Sequence, residues 1–521
     1  MAFYVTPQLQ FELSEIEDWR TSAASRLGIS RDQVRDWQIY RKSLDVRHKH
    51  PRYVMTLMLE VGSDAALIRQ LEARKCVVAA PRITFPELSV SPRQGRVCIV
   101  GAGPSGLFAA LTLAQYHIAA DIYERGRDVK ARTRDVAALM NRAVLDPESN
   151  ICFGEGGAGT FSDGKLMTRT KSQYIPVILD QFVKFGADRS IAYEAHAHIG
   201  TDRLSPILRE MRAWLEAHQV SYHFETRVED LWIEDGRCRG ICVNGDRIGY
   251  DAVFLCVGHS ADDMFECLAR RGVSMASKPL AVGFRVEHPQ SLINSIQYGS
   301  YARHAQLPAA EYAVRFNHER LPSVFSFCMC PGGTVVPSQT TADARVVNGM
   351  SGSHRNGRYA NSALVVQVGP EDFGTGALDG LKWVRALERK AAEGCAPGCA
   401  PAQAMLDFMR HRQSSGRLKT TYSPGVQNAD LRNLLPPRQC EAMLAALPEF
   451  DRQMRGFVTA DANFIGIESR TSSPVRILRD ERYQALDIAG LYPLGEGAGY
   501  AGGITSCALD GLNAALCYIG K

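Results

Sequence analysis

Apolar positions recur along this chain with two periods, near two and near 3.6, and the switches between them mark out the elements. Residues 5–13 alternate as a strand does, and 15–27 follow helical spacing through Ile16, Trp19, Ala23 and Leu27. Strand-like runs follow at 34–46 and 53–61, then a helix at 64–74 and a short strand at 76–80. The order βαββαβ predicts a ferredoxin-like domain over residues 1–92. Pro81, Pro86 and Pro92 make its end a linker.

A different pattern begins at 97. Val-Cys-Ile-Val is a continuous apolar run that meets Gly101-Ala-Gly103-Pro104-Ser105-Gly106, and a helical stripe follows with Leu107, Ala110, Leu111 and Leu113 on one side. A second apolar strand, 119–123, ends in Glu124. Strand, glycine turn, helix, strand and acid come in the order of a dinucleotide-binding βαβ unit. Gly101 permits the tight turn, Gly103 lets the backbone approach a pyrophosphate, and Gly106 lets helix and strand pack. The helix start offers N–H groups to phosphate. Glu124 is spaced to accept a ribose hydroxyl and would repel a 2′-phosphate, which favours NAD or the ADP half of FAD over NADP.

Beyond Glu124 the run from Phe153 to Lys165 is too polar and glycine-dense for a core element, and is either a loop that brings backbone to a cofactor or a plain surface loop. A helix is predicted over 203–217, with Asp202 as its cap. Short alternating strands fill 220–257, punctuated by Asp235-Gly236 and Asn244-Gly245, both two-residue hairpin signals. Such a meander, leading back to an apolar strand and Gly258, moves the expected dinucleotide from NAD towards FAD. From about 276 to 455 strand and helix patterns mix without repeats, as an inserted substrate domain would. Near the end, Gly490 to Gly511 delivers Gly495-Glu496 from a strand, and a second glycine turn, Gly502-Gly503, opens a final helix at Ile504. A helix start there would favour the negative charge of a reduced flavin.

Composition narrows the reading further. At 521 residues the chain exceeds one core, and 45% hydrophobic with 22% charged residues is ordinary for a globular protein. A net charge of +4 indicates no polyanion partner. The basic stretch from Arg31 to Arg52, with Arg41, Lys42, Arg47, His48, Lys49 and His50, lies in a region of 14 basic and 11 acidic residues and reads as a solvated face. No signal peptide and no membrane-spanning apolar run is visible, so a cytoplasmic protein without nucleic-acid or membrane partners is expected. The 14 cysteines are scattered as reduced thiols would be. Cys238/Cys242, Cys395/Cys399 and the pair His196 and His198 lack further ligands, so no metal is expected.

Several long phrases together resemble a bacterial family of FAD-dependent dehydrogenases of largely unassigned substrate, within the glutathione-reductase-like two-domain flavoproteins. They are FGEGGAGTFSDGKL (153–166), HIGTD (198–202), VGFRVEHPQ (282–290), FSFCMCPGG (325–333), NGMS (348–351), ANSALVV (360–366), ESRTSSPVRI (468–477) and GLYPLGEGAGYAGGITS (490–506). The resemblance implies non-covalent FAD, a Rossmann-like core and a ferredoxin-like N-terminal domain. The expected fold is α/β, with a β-meander in the FAD-binding domain (93–275 and 466–521), an inserted mixed α+β substrate domain (276–465) and the N-terminal domain (1–92). Two places depart from the family's pattern. Asp262 stands where the family usually has arginine, and residues 351–358 read Ser-Gly-Ser-His-Arg-Asn-Gly-Arg.

Candidate cofactor contacts are Gly101, Gly103, Pro104, Ser105, Gly106, Glu124, Arg125, Gly157, Thr160, Lys165, Val228, Gly258, Gly495, Glu496, Gly503 and Ile504. For proton handling, His259 follows a strand end facing the cofactor, a place suited to acid–base work or to a backbone hydrogen bond. Glu468 and Arg470 precede the last flavin segment. Arg470 could orient a substrate carboxylate, or the two could belong to structural ion pairs. The expected activity is that of a dehydrogenase or oxidase moving a hydride between a small organic substrate and flavin N5. The alternatives are an NAD(P)H-using monooxygenase and a flavin-binding scaffold without turnover. No second GxGxxG is present for a resident NAD(P)H domain, so NAD(P)H would be a transient donor if it acts at all. Oligomeric state is not legible.

Overall fold

The first alternating segment forms two strands rather than one: β1 (Ala2–Val5) and β2 (Leu9–Glu12) of a computed structural model that describes residues 2–47, 50–87 and 95–520. Both pair antiparallel with the same later strand. The break falls at Pro7, which has no N–H for a ladder, and the Thr6 hydroxyl accepts the Leu57 N–H at 3.0 Å in its place. Then come α1 (Trp19–Leu27), β3 (Asp36–Asp45), β4 (Arg52–Val61), α2 (Ala65–Ala73) and β5 (Val77–Val78). The antiparallel order is β5, β1 with β2, β4, β3. Asp64 caps α2 through the Ala66 and Leu67 N–H groups. This sheet joins the rest of the chain where Lys42 exchanges backbone hydrogen bonds with 193–195. Lys42 also pairs with Glu194 at 2.9 Å. His48, Lys49 and Pro92 lie outside the described residues.

The second unit runs β6 (Val97–Val100), α3 (Pro104–Gln115), β7 (Ala120–Tyr123), α4 (Val129–Arg142), α5 (Ile175–Lys184), α6 (Thr201–Glu216) and β8 (Val220–His223). The meander β9 (Asp230–Glu234), β10 (Arg237–Val243) and β11 (Asp246–Gly249) follows, then β12 (Ala252–Leu255) and α7 (Asp262–Arg270). Both meander turns are the pairs read from the sequence, with positive φ at Asp235, Gly236, Asn244 and Gly245 as type I′ turns require. β6, β7, β8 and β12 are parallel; the central β6 and β12 are fully apolar because helices cover the sheet, whereas β7 carries Asp121 and the edge strand β8 reads Val-Ser-Tyr-His. The predicted cap of α6 differs: Gly200 is the N-cap, and Asp202 instead accepts the Ser353 N–H at 2.6 Å and its hydroxyl at 2.7 Å.

The third unit comprises β13 (Met275–Ser277), β14 (Leu280–Pro289), α8 (Gln290–Tyr298), β15 (Arg315–Phe316), β16 (Val324–Cys330), β17 (Thr334–Pro337), β18 (Val347–Met350) and β19 (Tyr359–Val368). It continues through α9 (Pro370–Phe373), α10 (Asp379–Ala392), β20 (Ala400–Ala404), α11 (Met405–Met409), β21 (Val426–Asn428), α12 (Pro437–Gln453) and β22 (Asn463–Glu468). The chain closes with β23 (Val475–Ile477), β24 (Leu491–Pro493) and α13 (Ile504–Tyr518). A seven-stranded sheet, in the order β15-β16-β19-β14-β22-β20-β21, forms this unit. β24 returns to the parallel sheet beside β12, giving β24-β12-β6-β7-β8. Two expected boundaries move: position 465 falls inside β22, which pairs with β14, and 275 falls inside β13, which pairs with β23. Strand pairing, invisible in a single segment's pattern, decides both.

Candidate functional site

The carboxyl edge of the parallel sheet is built from glycines of two kinds. At Gly101, φ is +106° and a Cβ would sit 2.7 Å from the Cys256 carbonyl oxygen. At Gly106 a Cβ would run into the Gly101 carbonyl. Protein packing demands both. Gly103 is different: its backbone is extended, and a Cβ there would meet nothing nearer than the Gly157 Cα at 3.9 Å. At Gly258, past β12, and at Gly502 a Cβ would meet nothing within 4 Å, and at Gly503 only the Ser506 hydroxyl at 4.0 Å. Gly103, Gly258 and Gly502 need no glycine for the protein's own packing, and Gly503 needs it for its backbone at φ +143° and not for lack of space, so the edge is kept bare for something else. Pro104 opens α3 at its first turn, where a missing N–H costs nothing. Ser105 is buried, with its Cβ 2.9 Å from where a Gly495 Cβ would stand. A Cβ at Gly511 would overlap the Ser105 carbonyl, so α3 and α13 lie in close contact and present their N-termini side by side.

Two buried charges fix the loops above that edge. Glu124 accepts the N–H groups of Ala102, Gly126 and Gly154, each at 2.9 Å. It therefore ties three loops together, and of a carboxylate's four acceptor positions about one is left for a ribose hydroxyl. Arg132, fully buried on α4, donates to the carbonyls of Asn150, Ile151, Gly154 and Glu155 at 2.7–3.1 Å. Burial lowers its pKa to about 10. Glu155 in the same loop accepts the Val129 N–H at 2.7 Å, and burial pushes its carboxyl up to about 7. The sequence reading passed over both groups. The signal for Arg132 was present: it shares the apolar face of α4 with Val129, Val136 and Leu139.

The remaining predicted contacts are placed as follows. Gly157 and Thr160 lie in the loop that passes over Gly103 and Ile504: a Cβ at Gly157 would be 3.1 Å from the Gly103 Cα, and one at Gly159 3.1 Å from Ile504 Cγ1. The Thr160 hydroxyl bonds the Glu155 carbonyl at 3.2 Å. Arg125 is taken by Glu148 at 2.7 Å and Asp263 at 3.0 Å, and it lies over the Phe153 ring. Lys165 pairs with Asp163 at 2.7 Å and with the Met329 carbonyl. Arg355 grips the same Asp163, so Lys165 is part of an ion network, not a free cation. Val228 packs in the core beneath the meander.

The proton-handling candidates converge between the parallel sheet and the seven-stranded one. His259, 9% exposed, follows β12, and its Nδ1 lies 3.3 Å from Glu496 Oε2. Neither ring nitrogen has a hydrogen bond of good geometry among the described residues. Burial opposes the imidazolium, but the Glu496 carboxylate more than offsets it, and His259 titrates above the ordinary histidine range. Glu468 lies in the electrostatic field of His259. Its carboxylate, however, belongs to the fully buried Arg285, at 3.4 Å from both oxygens. Arg470 is not available to clamp a substrate carboxylate. Its Nε and one terminal nitrogen are bound to Glu388, each at 3.0 Å, and the other terminal nitrogen reaches the Ser260 hydroxyl at 2.9 Å. Glu468 and Arg470 thus serve two separate buried ion pairs.

Glu388 continues a chain of charge. Arg385 binds it at 2.7 Å and also binds Asp262, the acid that departs from the family's pattern. The site holds one more group that the sequence reading did not single out, Cys152, whose sulfur is 3.6 Å from an Arg470 nitrogen. Cys328 and Cys330, two residues apart in β16, are separated by a register shift; Cys328 has φ +43° and is exposed, whereas Cys330 is buried. His196 pairs with Glu311 and His198 with the Ser353 carbonyl. No group of three metal-binding side chains occurs among the described residues.

Residues 279–471 match a family model described as "FAD-dependent protein, C-terminal domain-like", and residues 5–61 match a domain of unknown function. An uncharacterized protein of Clostridium beijerinckii is 39% identical over 497 residues, covering 94% of this chain and 93% of that protein. Among solved structures, CtdE in complex with FAD is 10% identical, with a TM-score of 0.30 over 82% of this chain and 84% of that one. A geranylgeranyl bacteriochlorophyll reductase-like protein from Thermoplasma acidophilum is 12% identical, with a TM-score of 0.36 over 81% and 77%. The residues present fit FAD: the bare glycine edge at Gly103, Gly258 and Gly502–Gly503 is a cradle that side chains would fill, and two helix N-termini face it. No helix among the described residues is long and apolar enough to cross a membrane.

Proposed function

The chain belongs to the family of the clostridial protein, and its residues 279–471 match the C-terminal-domain model of FAD-dependent proteins; on that premise we propose that it is an FAD-dependent dehydrogenase or oxidase acting on a small organic substrate. FAD is its cofactor, and when bound it supplies a two-electron hydride acceptor and donor. On this reading Gly101–Gly106 and the start of α3 hold the pyrophosphate, Glu124 the ribose, and Gly495–Ile504 the flavin side. The nucleotide-binding unit is assigned to the glutathione-reductase-like type, with the ferredoxin-like unit as its N-terminal attachment.

The observation that carries the reaction is His259. Hydride removal from a carbon bearing O–H or N–H leaves a proton to be taken, and the reverse reaction needs one supplied. Glu496 beside Nδ1 fixes the ring and raises its basicity, which directs Nε2 to that proton. Burial excludes water from the exchange. Arg285, Glu468, Arg470 and Glu388 act as positioning residues: their paired charges hold the wall around His259 without reacting.

Purified protein should show flavin absorbance and stay oxidised on anaerobic mixing with NADH or NADPH. With any substrate that reduces the flavin, His259→Gln should slow reduction by about 10²–10⁴-fold while flavin content is kept. Fast bleaching by NAD(P)H would move the protein to the reductase or monooxygenase class. Protein that takes up no FAD would end the reading altogether.

A further inference from the structure

We propose that Cys152 is a peroxide-reactive thiol, oxidised to a sulfenic acid in a niche formed by His259, Ser260, Ser338 and Arg470. The loop that carries it is pegged from inside by Arg132, so the sulfur has a fixed place at the seam between the two large sheets. Its Sγ donates to the Ser338 carbonyl at 3.4 Å and lies 3.6 Å from the Ser338 hydroxyl. An Arg470 terminal nitrogen stands 3.6 Å away and holds the Ser260 hydroxyl at 2.9 Å. The second observation is His259. It is nine-tenths buried, its Nε2 has no partner among the described residues, and its ring acts electrostatically on the Cys152 sulfur. Buried polar groups are ordinarily satisfied, and a sulfenic oxygen placed among these donors would find Ser338, Ser260 and Arg470 within the same niche.

The charges around the sulfur favour its ionised form. Burial alone would raise the thiol, but Arg470 and His259 more than offset it and hold Cys152 below the ordinary thiol range. It is the one cysteine so held among the described residues; Cys98, Cys256 and Cys507, for example, are pushed up by burial. Arg132 lies behind it, Glu388 beyond Arg470, and Glu496 and Glu468 beyond His259. Cys152 as a residue is only partly buried, which gives a small oxidant a way towards it.

The ligand class is a hydroperoxide. The thiolate sulfur attacks one peroxide oxygen; the S–O bond forms as the O–O bond breaks, and two electrons pass from sulfur to peroxide. The departing hydroxide takes a proton from the His259 imidazolium and leaves as water, so that thiolate, imidazolium and H2O2 give sulfenic acid, neutral histidine and water. The proposal shares His259 with the flavin reading but does not need flavin turnover, since the adduct is read on the protein's own sulfur.

The test uses the purified full-length protein with one equivalent of H2O2, trapping by dimedone and mass spectrometry of the peptides. An ordinary thiol is about 3% ionised at pH 7, so ionisation can add up to about 30-fold, and up to about tenfold once the lower intrinsic nucleophilicity of such a thiolate is counted. The adduct should form on Cys152 about tenfold faster than on any other cysteine. It should vanish in Cys152→Ser and slow by about tenfold in His259→Gln. Adduct spread evenly over the cysteines, absence of adduct on Cys152, or an unchanged rate in His259→Gln would overturn the proposal.

Discussion

Replacing Gly103 by alanine separates what the nucleotide loop needs for folding from what it needs for its ligand. The protein itself leaves room for the methyl group, the nearest atom being 3.9 Å from the new Cβ. The backbone at Gly103, φ −79° and ψ 180°, suits alanine. Loss of a glycine N-cap costs about 1 kcal/mol at most, and the stiffer unfolded chain returns about 0.4–1 kcal/mol, so the apoprotein should change by less than about 1 kcal/mol. The methyl group does occupy the face where the pyrophosphate would approach. A 100-fold loss of FAD affinity would remove about 2.7 kcal/mol of the stabilisation that bound cofactor confers. Gly106→Ala is the control with the opposite signature: its methyl group meets the Gly101 carbonyl and lies 3.0 Å from Ile99 Cγ2, an overpacking cost of about 1–3 kcal/mol paid by apoprotein and holoprotein alike. Flavin-to-protein ratio after gel filtration, with thermal unfolding of both forms, reads the two effects. Full FAD retention in Gly103→Ala, and still in the bulkier Gly103→Val, would refute the assignment of this edge to the cofactor.

Other outcomes follow from the buried charges. Arg132→Met should destabilise the protein by about 3–5 kcal/mol, because four buried carbonyls, those of Asn150, Ile151, Gly154 and Glu155, lose their charged partner; chemical denaturation measures it. Glu388→Gln should cost a similar amount by leaving Arg470 buried without its anion, while Arg385 keeps Asp262. Acid should weaken the fold in two stages. Burial drives His288 down to about 4, so the unfolded chain takes its proton first and stability declines from about pH 6.5 downwards. Glu388 is drawn down to about 2 because Arg470 and Arg385 outweigh its burial; its contribution is complete above about pH 4.5 and is lost as the pH falls towards 2. Each amounts to about 3 kcal/mol, and Glu388→Gln should flatten the lower stage in urea melts recorded against pH.

The sequence carried the local parts of this architecture well. Asp235-Gly236 and Asn244-Gly245 admit positive φ cheaply, so both meander turns stand where read. The 97–124 unit was legible because each of its glycines sits beside a strand or helix signal. What escaped was set by tertiary contact. At Gly258 and Gly502, by contrast, no local signal tells that packing leaves the position open. Arg470 suited a substrate carboxylate until Glu388, 82 residues away, took two of its nitrogens. Cys152 went unremarked among the scattered cysteines because the charges that act on it come from positions 259 and 470. A charge on an apolar helix face was the one signal that could have exposed this frame: Arg132 on α4 and Glu388 beside Leu381, Val384 and Leu387 on α10.

The acid at 262 has a consequence for descent. Asp262 and Ser260, at the end of the parallel sheet, meet Arg385, Glu388 and Arg470 in one alternating row of charge. A relative that keeps the family's usual arginine at this place would set it against a second guanidinium at 385, with Glu388 the one anion between three cations. Neither change survives alone at low cost, so positions 262 and 385 should be inherited as a couplet. In related sequences an acid at the first should travel with a cation at the second, and an arginine at the first with a neutral or acidic residue at the second. A branch of the family could then be sorted by that pair before any substrate is known.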